Sequence, residues 1–325
     1  MASTVVRTHL EVRDGRREQQ QQNLAQSRAL DHLRGRFDGQ DDREEEARAS
    51  REREKVLNWL APEDYAPEFH DLLRRRQPGT GQWLLDSDEF KTWCVSTYCP
   101  GDLLCILETN CHPRMAADRK AVLFCPGIPG AGKTILSTTV IDHLHAQFRN
   151  DPDVAVAYLY CNFRRHAMQK LDDLVNNLLK QLAAARPPLP AAVKALYDNK
   201  PKDTRPALDE VFAALRSVAA EYAKVYIVVD ELDECTSVED CRGRLVSNLL
   251  GLCSVANIRL FATCRPIPDV VGKFSGFPSL EIQASREDVG RYLQGHMGEL
   301  MPFVARSQDL QDRIVASIAD AADGM

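Results

Sequence analysis

Long hydrophobic runs are missing from this sequence. Its apolar stretches, such as Val225–Val229, are only a handful of residues long, far short of the ~20 that a membrane-crossing helix needs. The first residues, MASTVVRTHLEVRDGRR, have no uninterrupted apolar core of the kind a secretory signal carries. A basic excess is missing too: 41 Lys and Arg stand against 47 Asp and Glu, for a net charge of -6 and a pI near 5.8. A surface built to coat nucleic acid would read basic. The short run Arg74–Arg76 is too small a footprint to change that. The expectation is a cytoplasmic chain with neither a membrane nor a nucleic acid as partner.

Ten cysteines are present, but no C-x-x-C pair occurs. Cys94, Cys99, Cys105 and Cys111, with His112 beside the last, have gaps of four or five residues between the cysteines, a poor match to zinc-ligand spacing. Buried, reduced thiols are the better reading. Tryptophan is scarce, and all three (Trp59, Trp83, Trp93) fall in one early stretch.

Residues 1–55 hold 12 basic, 12 acidic and only 14 apolar residues, with a glutamine run at Gln19–Gln22. Leu24, Leu30, Leu33 and Phe37 mark a helical stripe too short for a coiled coil. This is a charged, partly helical arm, either a self-association segment or a spacer. Residues 56–118 form a second segment. There Pro78, Gly79 and Gly81 make a turn and Trp83, Leu84 and Leu85 follow as apolar anchors, with Phe90 and Trp93 at helical spacing. Taken alone, 74–93 is a loop packed on a core by aromatic residues.

From Ala121 onward strands and helices alternate. Strands are expected at Ala121–Cys125, Val154–Cys161, Val225–Val229, Ile258–Thr263 and, more weakly, Leu280–Ile282. Helices are expected after the Gly-rich turn to about His145, then at about Met168–Ala184, Leu208–Ala223, Arg286–Leu300 and Leu310–Ala322, with Pro187, Pro188 and Pro190 as breakers. Such alternation means a parallel α/β sheet covered on both faces.

Three stretches carry chemistry. The first, GIPGAGKT, runs Gly127, Ile128, Pro129, Gly130, Ala131, Gly132, Lys133, Thr134 and matches G-x-x-x-x-G-K-[ST] between a strand and a helix. Its glycines let backbone N–H groups close around phosphate oxygens, and the helix N-terminus adds a favourable dipole. Lys133 is placed to reach the β- and γ-phosphates and the Thr134 hydroxyl to ligate Mg²⁺. The second, VYIVVDELDEC, delivers Asp230 at the C-terminal edge of a buried strand as the second protein ligand to Mg²⁺. Glu231, Asp233 and Glu234 crowd behind it as candidates for metal and water positioning. In the third, IRLFATCRP, a buried strand ends at Thr263 and Arg265, where an arginine can reach a γ-phosphate.

Together with the upstream GTGQWLL, these motifs resemble a NACHT domain of the signal-transduction NTPase (STAND) class, in its nephrocystin-like fungal type. The resemblance covers about Val56 to the end. It implies a three-layer P-loop NTPase with a parallel five-stranded sheet of order 5-1-4-3-2, with the NTPase core at 119–285 and the start of a helical domain at 286–325. It also implies that Gly79, Thr80, Gly81 and Trp83 help to hold the nucleotide base. Similar proteins are NTP-driven switches that self-associate, here with copies of the chain or with full-length relatives.

Two departures stand out. Where the family carries a tiny residue after the magnesium aspartate, this chain has Glu231, the position of the catalytic glutamate in many motor-type ATPases. Glu234 is expected to orient the attacking water and Asp233 to support the Mg²⁺ shell, with Glu231 as the competing base. The chain also ends at Met325, before the winged-helix element of similar proteins, as a fragment or a truncated product would. The expected function is a Mg²⁺-dependent switch that binds ATP or GTP and hydrolyses it slowly. The alternatives are a motor-type ATPase of helicase or remodelling kind, and a non-signalling nucleotide-binding module.

Overall fold

The computed structural model describes residues 45–95, 119–162, 170–199, 204–235, 241–255 and 257–322. Two compact units divide the chain at Val56/Leu57. In the first, the described residues 45–56 lie in helix α1 (45–60). The leucine stripe of the arm, together with Cys99, Cys105, Cys111 and His112, falls outside the described residues. Cys94 is buried and free, as expected for a reduced thiol.

The second unit opens with three short helices, α2 (Ala66–Arg75), α3 (Gln82–Asp86) and α4 (Asp88–Val95). The stretch expected as a loop is therefore a turn at 77–81 followed by helix. Leu84, Phe90 and Trp93 are its buried anchors, while Trp83 stays half-buried. One turn of helix per 3.6 residues puts Phe90 and Trp93 on the same side, and their rings meet 5.5 Å apart.

Four parallel strands follow: β1 (Val122–Pro126), β2 (Val154–Tyr160), β3 (Lys224–Asp230) and β4 (Ile258–Cys264), in the order β1-β4-β3-β2. The fifth strand expected at Leu280–Ile282 is not formed, which corrects the five-stranded reading. Residues 278–282 run along the outer edge of β1, where Leu280 N–H donates to Phe124 O and Ile282 N–H to Pro126 O. They form only a single bridge, at Ser279. With Pro278 lacking an N–H and the run so short, a full ladder cannot build.

Strand β4 is buried along its whole length and β3 from Val225 onward, the pattern of a parallel sheet covered on both faces. Helix α5 (Lys133–Gln147) packs across β2, β3 and β4. On that face Tyr226 meets Trp93 of α4, and Tyr158 meets Phe69 of α2. Val225, Ile227 and Val229 point the other way and are equally buried. That side is covered by α6 (Leu171–Ala185), which touches β2, and α9 (Cys241–Val255), which touches β4 and α6, while α8 (Leu208–Ala219) packs on α6 and α7 (Ala191–Asp198) on α8. Helix α10 (Pro268–Lys273) leads to the β1 edge segment, and α11 (Arg286–His296), α12 (Pro302–Ala305) and α13 (Gln308–Ala321) close the described chain. Among the described residues no helix is long and apolar enough to cross a membrane.

Candidate functional site

The C-terminal ends of β1, β3 and β4 bring the three chemistry-bearing stretches together, as the parallel topology requires. Between β1 and α5, residues 127–132 turn sharply. Gly127 N–H donates to Cys264 O on β4 at 3.0 Å, which ties the start of the loop to the neighbouring strand. A Cβ at Gly127 would lie 2.7 Å from Ile282 O, so no side chain fits there. Gly130 and Gly132 have φ of +85° and +92°, and open space faces the position of any Cβ on either. This is a concave loop of backbone whose inner surface admits a ligand rather than a side chain.

Lys133, the first residue of α5, has its side chain only 2% exposed. Its Nζ donates to Ile128 O at 3.2 Å and lies 3.9 Å from Glu231 Oε1. An ammonium group drawn into the loop this way is poised for phosphate oxygens.

Asp230, at the end of β3, is 2% exposed. Its Oδ1 accepts from Ser137 Oγ at 2.6 Å and Thr263 Oγ1 at 2.7 Å. Burial pushes its carboxyl above the usual range, while the hydroxyls of Ser137, Thr263 and Thr134 and the charge of Lys133 pull it back. Asp230 and Thr134, expected as the two protein ligands of Mg²⁺, thus lie close enough across β3 and α5 for the Thr134 hydroxyl to favour the charged Asp230 carboxylate. A buried carboxylate beside a hydroxyl at the mouth of a phosphate-shaped loop is a hard oxygen donor set, which fits Mg²⁺.

Glu231 follows with φ +52°, the left-handed region, and is the one non-glycine with positive φ among the described residues. Its N–H donates to Thr263 Oγ1 at 2.9 Å, which helps to hold the strained residue in place. Burial, then the charges of Asp230 and Glu234, raise its carboxyl to about 7, with Lys133 opposing.

The other two acids face away from the loop, toward Arg265. Asp233, whose side chain is 4% exposed, accepts the Arg265 N–H on Oδ1 at 2.8 Å and meets Arg265 Nε on Oδ2 at 3.0 Å. Glu234 Oε1 pairs with Arg265 Nη2 at 3.2 Å. Arg265 is itself 45% exposed, a cation clamped by two carboxylates at the sheet edge.

The 77–81 turn lies against the far side of α5. Thr80 is buried, with its hydroxyl donating to Gln77 O at 2.7 Å. A Cβ on Gly81 would come within 2.7 Å of Leu136 and 3.6 Å of Thr139 Oγ1, both on α5. Gly81 therefore sits about one helical turn along α5 from Lys133. Sequence reasoning missed Ser137 and Thr263, the hydroxyls that fix Asp230, and Asp288, which reaches Gly81 from α11. A Ser on the helix face of the phosphate-loop lysine and a Thr at the end of a buried strand were the available signals.

The sequence profile of the family described as Nephrocystin 3, N-terminal matches residues 79–265, more than half of the chain. The vegetative incompatibility protein HET-E-1 of Podospora anserina is 23% identical over 220 residues. That alignment covers 64% of this chain but 16% of the fungal protein, so the chain spans about a sixth of that relative's length. Among solved structures, PCH-2 of C. elegans matches 68% of this chain and 46% of its own at 14% identity and a TM-score of 0.34. A Walker-type ATPase of Pyrococcus abyssi matches 57% and 56% at 14% identity and a TM-score of 0.37. At these scores the likeness is faint. The profile match covers the phosphate loop, the acid cluster and Arg265 in one span, and the chain belongs to the Nephrocystin 3, N-terminal family, the nephrocystin-like class its motifs resemble.

Proposed function

We propose that the chain is a Mg²⁺-dependent nucleotide switch. It binds ATP or GTP in the 127–134 loop, hydrolyses it slowly, and changes its self-association with the nucleotide state. The observation that carries this reading is the buried Lys133 ammonium, 3.9 Å from Glu231, beside the open concavity at Gly130 and Gly132. Backbone N–H groups of the loop and the N-terminus of α5 hold the phosphates, and Lys133 neutralises them. Thr134 and Asp230 would hold Mg²⁺, which would supply charge neutralisation to the phosphates.

Glu231 takes the water-orienting role that the sequence assigned first to Glu234. Glu234 and Asp233 are engaged by Arg265, whereas the Glu231 carboxylate lies against Lys133. Asp233 becomes a positioning residue for Arg265 rather than part of a metal shell. The same Glu231 supports a second reading, a motor-type ATPase, which differs in turnover rate. The acidic balance of the chain weighs against it.

Equilibrium binding of Mg-ATP and Mg-GTP, with light scattering of the free and loaded chain, tests the proposal. Retention of nucleotide by the wild type, its loss in Lys133→Ala, and a mass that depends on nucleotide are expected. Equal binding by both chains would overturn the site, and an unchanging mass would overturn the switch.

A further inference from the structure

Helix α11 closes over the 77–81 turn. From its first turn Asp288 Oδ2 accepts the Gly81 N–H at 2.8 Å, and from its second Arg291 Nη1 donates to Gly79 O at 2.7 Å. Arg291 is steadied by Glu287 at 2.6 Å and faces Asp288 Oδ1 at 3.7 Å. Asp288 is steadied in turn, its N–H donating to Ser285 Oγ at 3.0 Å. Farther along, the Gln77 amide fills the space where a Cβ on Gly295 would stand. Two main-chain polar groups of a turn with two left-handed glycines, Gly79 (φ +81°) and Gly81 (φ +79°), are thus capped by side chains more than 200 positions away.

The placement of this clasp gives it a role. Asp230 and Glu231 lie at the end of β3, two strands in from β1. A triphosphate in the 127–134 loop has its metal-binding, γ-end toward those acids, so its nucleoside leaves on the opposite side, at the outer edge of β1. That edge is where residues 278–282 run, where Ile282 O abuts Gly127, and from which the chain enters α11 at Ser285. The 77–81 turn, seated on Leu136 and Thr139 of α5, completes the same corner.

We propose that Asp288 and Arg291 are positioning residues of the nucleotide site: by capping Gly81 N–H and Gly79 O they hold the 77–81 turn against α5 as the wall that meets the nucleoside. The proposal rests on the reading that 127–134 binds a nucleoside triphosphate. Through it, α11 is mechanically tied to the nucleoside half of the ligand and not to the phosphate half.

The test separates those halves. Displacement of a fluorescent ATP analogue from the full chain is measured with Mg-ATP and with inorganic tripolyphosphate, for wild type, Asp288→Ala, Asp288→Asn and Arg291→Ala. Loss of one charge-assisted cap corresponds to roughly 5–10-fold. Asp288→Ala and Arg291→Ala are expected to weaken ATP by that factor and leave tripolyphosphate unchanged. Asp288→Asn, whose amide oxygen can still accept from Gly81, is expected to stay close to wild type. A parallel loss of both ligands, or no loss of ATP in a folded alanine variant, overturns the proposal. Should Asp288→Ala fail to fold, Arg291→Ala and Asp288→Asn carry the same comparison. A wild-type chain that binds neither ligand would defeat the nucleotide site itself, a distinct result.

Discussion

Arg265 is held twice by one carboxylate: its backbone N–H reaches Asp233 Oδ1 at 2.8 Å and its Nε reaches Oδ2 at 3.0 Å. The acid therefore fixes both the turn after β4 and the side chain that leaves it. Asp233→Ala removes the acceptor of this backbone N–H and leaves the guanidinium with Glu234 alone, which is expected to cost about 1–2 kcal/mol. Asp233→Asn keeps an acceptor and should cost less. Urea unfolding of the two variants checks the order, and an equal loss in both would contradict the backbone cap.

Two of the three glycines of the phosphate loop should fail differently. Gly127→Ala drives a Cβ to 2.7 Å from the Ile282 carbonyl, backbone against backbone, with an expected loss of about 1–3 kcal/mol. Gly130→Ala meets nothing within 4 Å and bears only the left-handed backbone penalty, roughly 1–2 kcal/mol. It nonetheless fills the concavity, so it should lose nucleotide binding out of proportion to its stability. Thermal unfolding beside nucleotide titration separates the two effects.

Glu231 gives the folded chain without nucleotide a pH dependence of known sign. Burial raises its carboxyl from 4.5 to about 7, so between those values the folded chain holds a proton the unfolded chain has lost. The stability from this group is complete below about 4.5 and is lost as pH rises through about 7. Glu231→Gln removes the titration and should flatten the decline between pH 5 and pH 8 by about 1–3 kcal/mol. Urea midpoints at the two pH values measure it, and parallel slopes for variant and wild type would count against the buried carboxyl.

The same residue separates the candidate bases. Glu231→Gln is expected to slow hydrolysis about 100-fold or more while nucleotide still binds. Glu234→Gln, which breaks only an ion pair to Arg265, is expected to slow it far less. Single-turnover phosphate release from both variants decides it, and the reverse order would return the role to Glu234.

Much of this site could be read from the sequence because its parts are local. The 127–134 loop needs glycines at fixed spacing, and Asp230 and Arg265 sit where buried apolar runs end. The four long strands declared themselves by apolar content alone. The segment at Leu280–Ile282 did not become a strand: Leu280 and Ile282 both donate to β1, but Pro126 and Pro278 lack the N–H groups that would extend the pairing past one bridge. Helices α7 and α9 were missed, the first hidden behind a proline cluster and the second behind a sequence whose apolar residues make no clear face. The pairing of Asp233 and Glu234 with Arg265, and of Asp288 with Gly81, joins residues far apart in the chain. No spacing rule reaches across such distances.

The most direct test of a slow nucleotide switch is steady-state phosphate release from Mg-ATP and Mg-GTP by the purified chain, with Lys133→Ala as the control. The account predicts turnover orders of magnitude below one per second in the wild type and none in Lys133→Ala. Turnover of about one per second or faster, in the ordinary enzyme range, would contradict the switch and favour the motor-type ATPase.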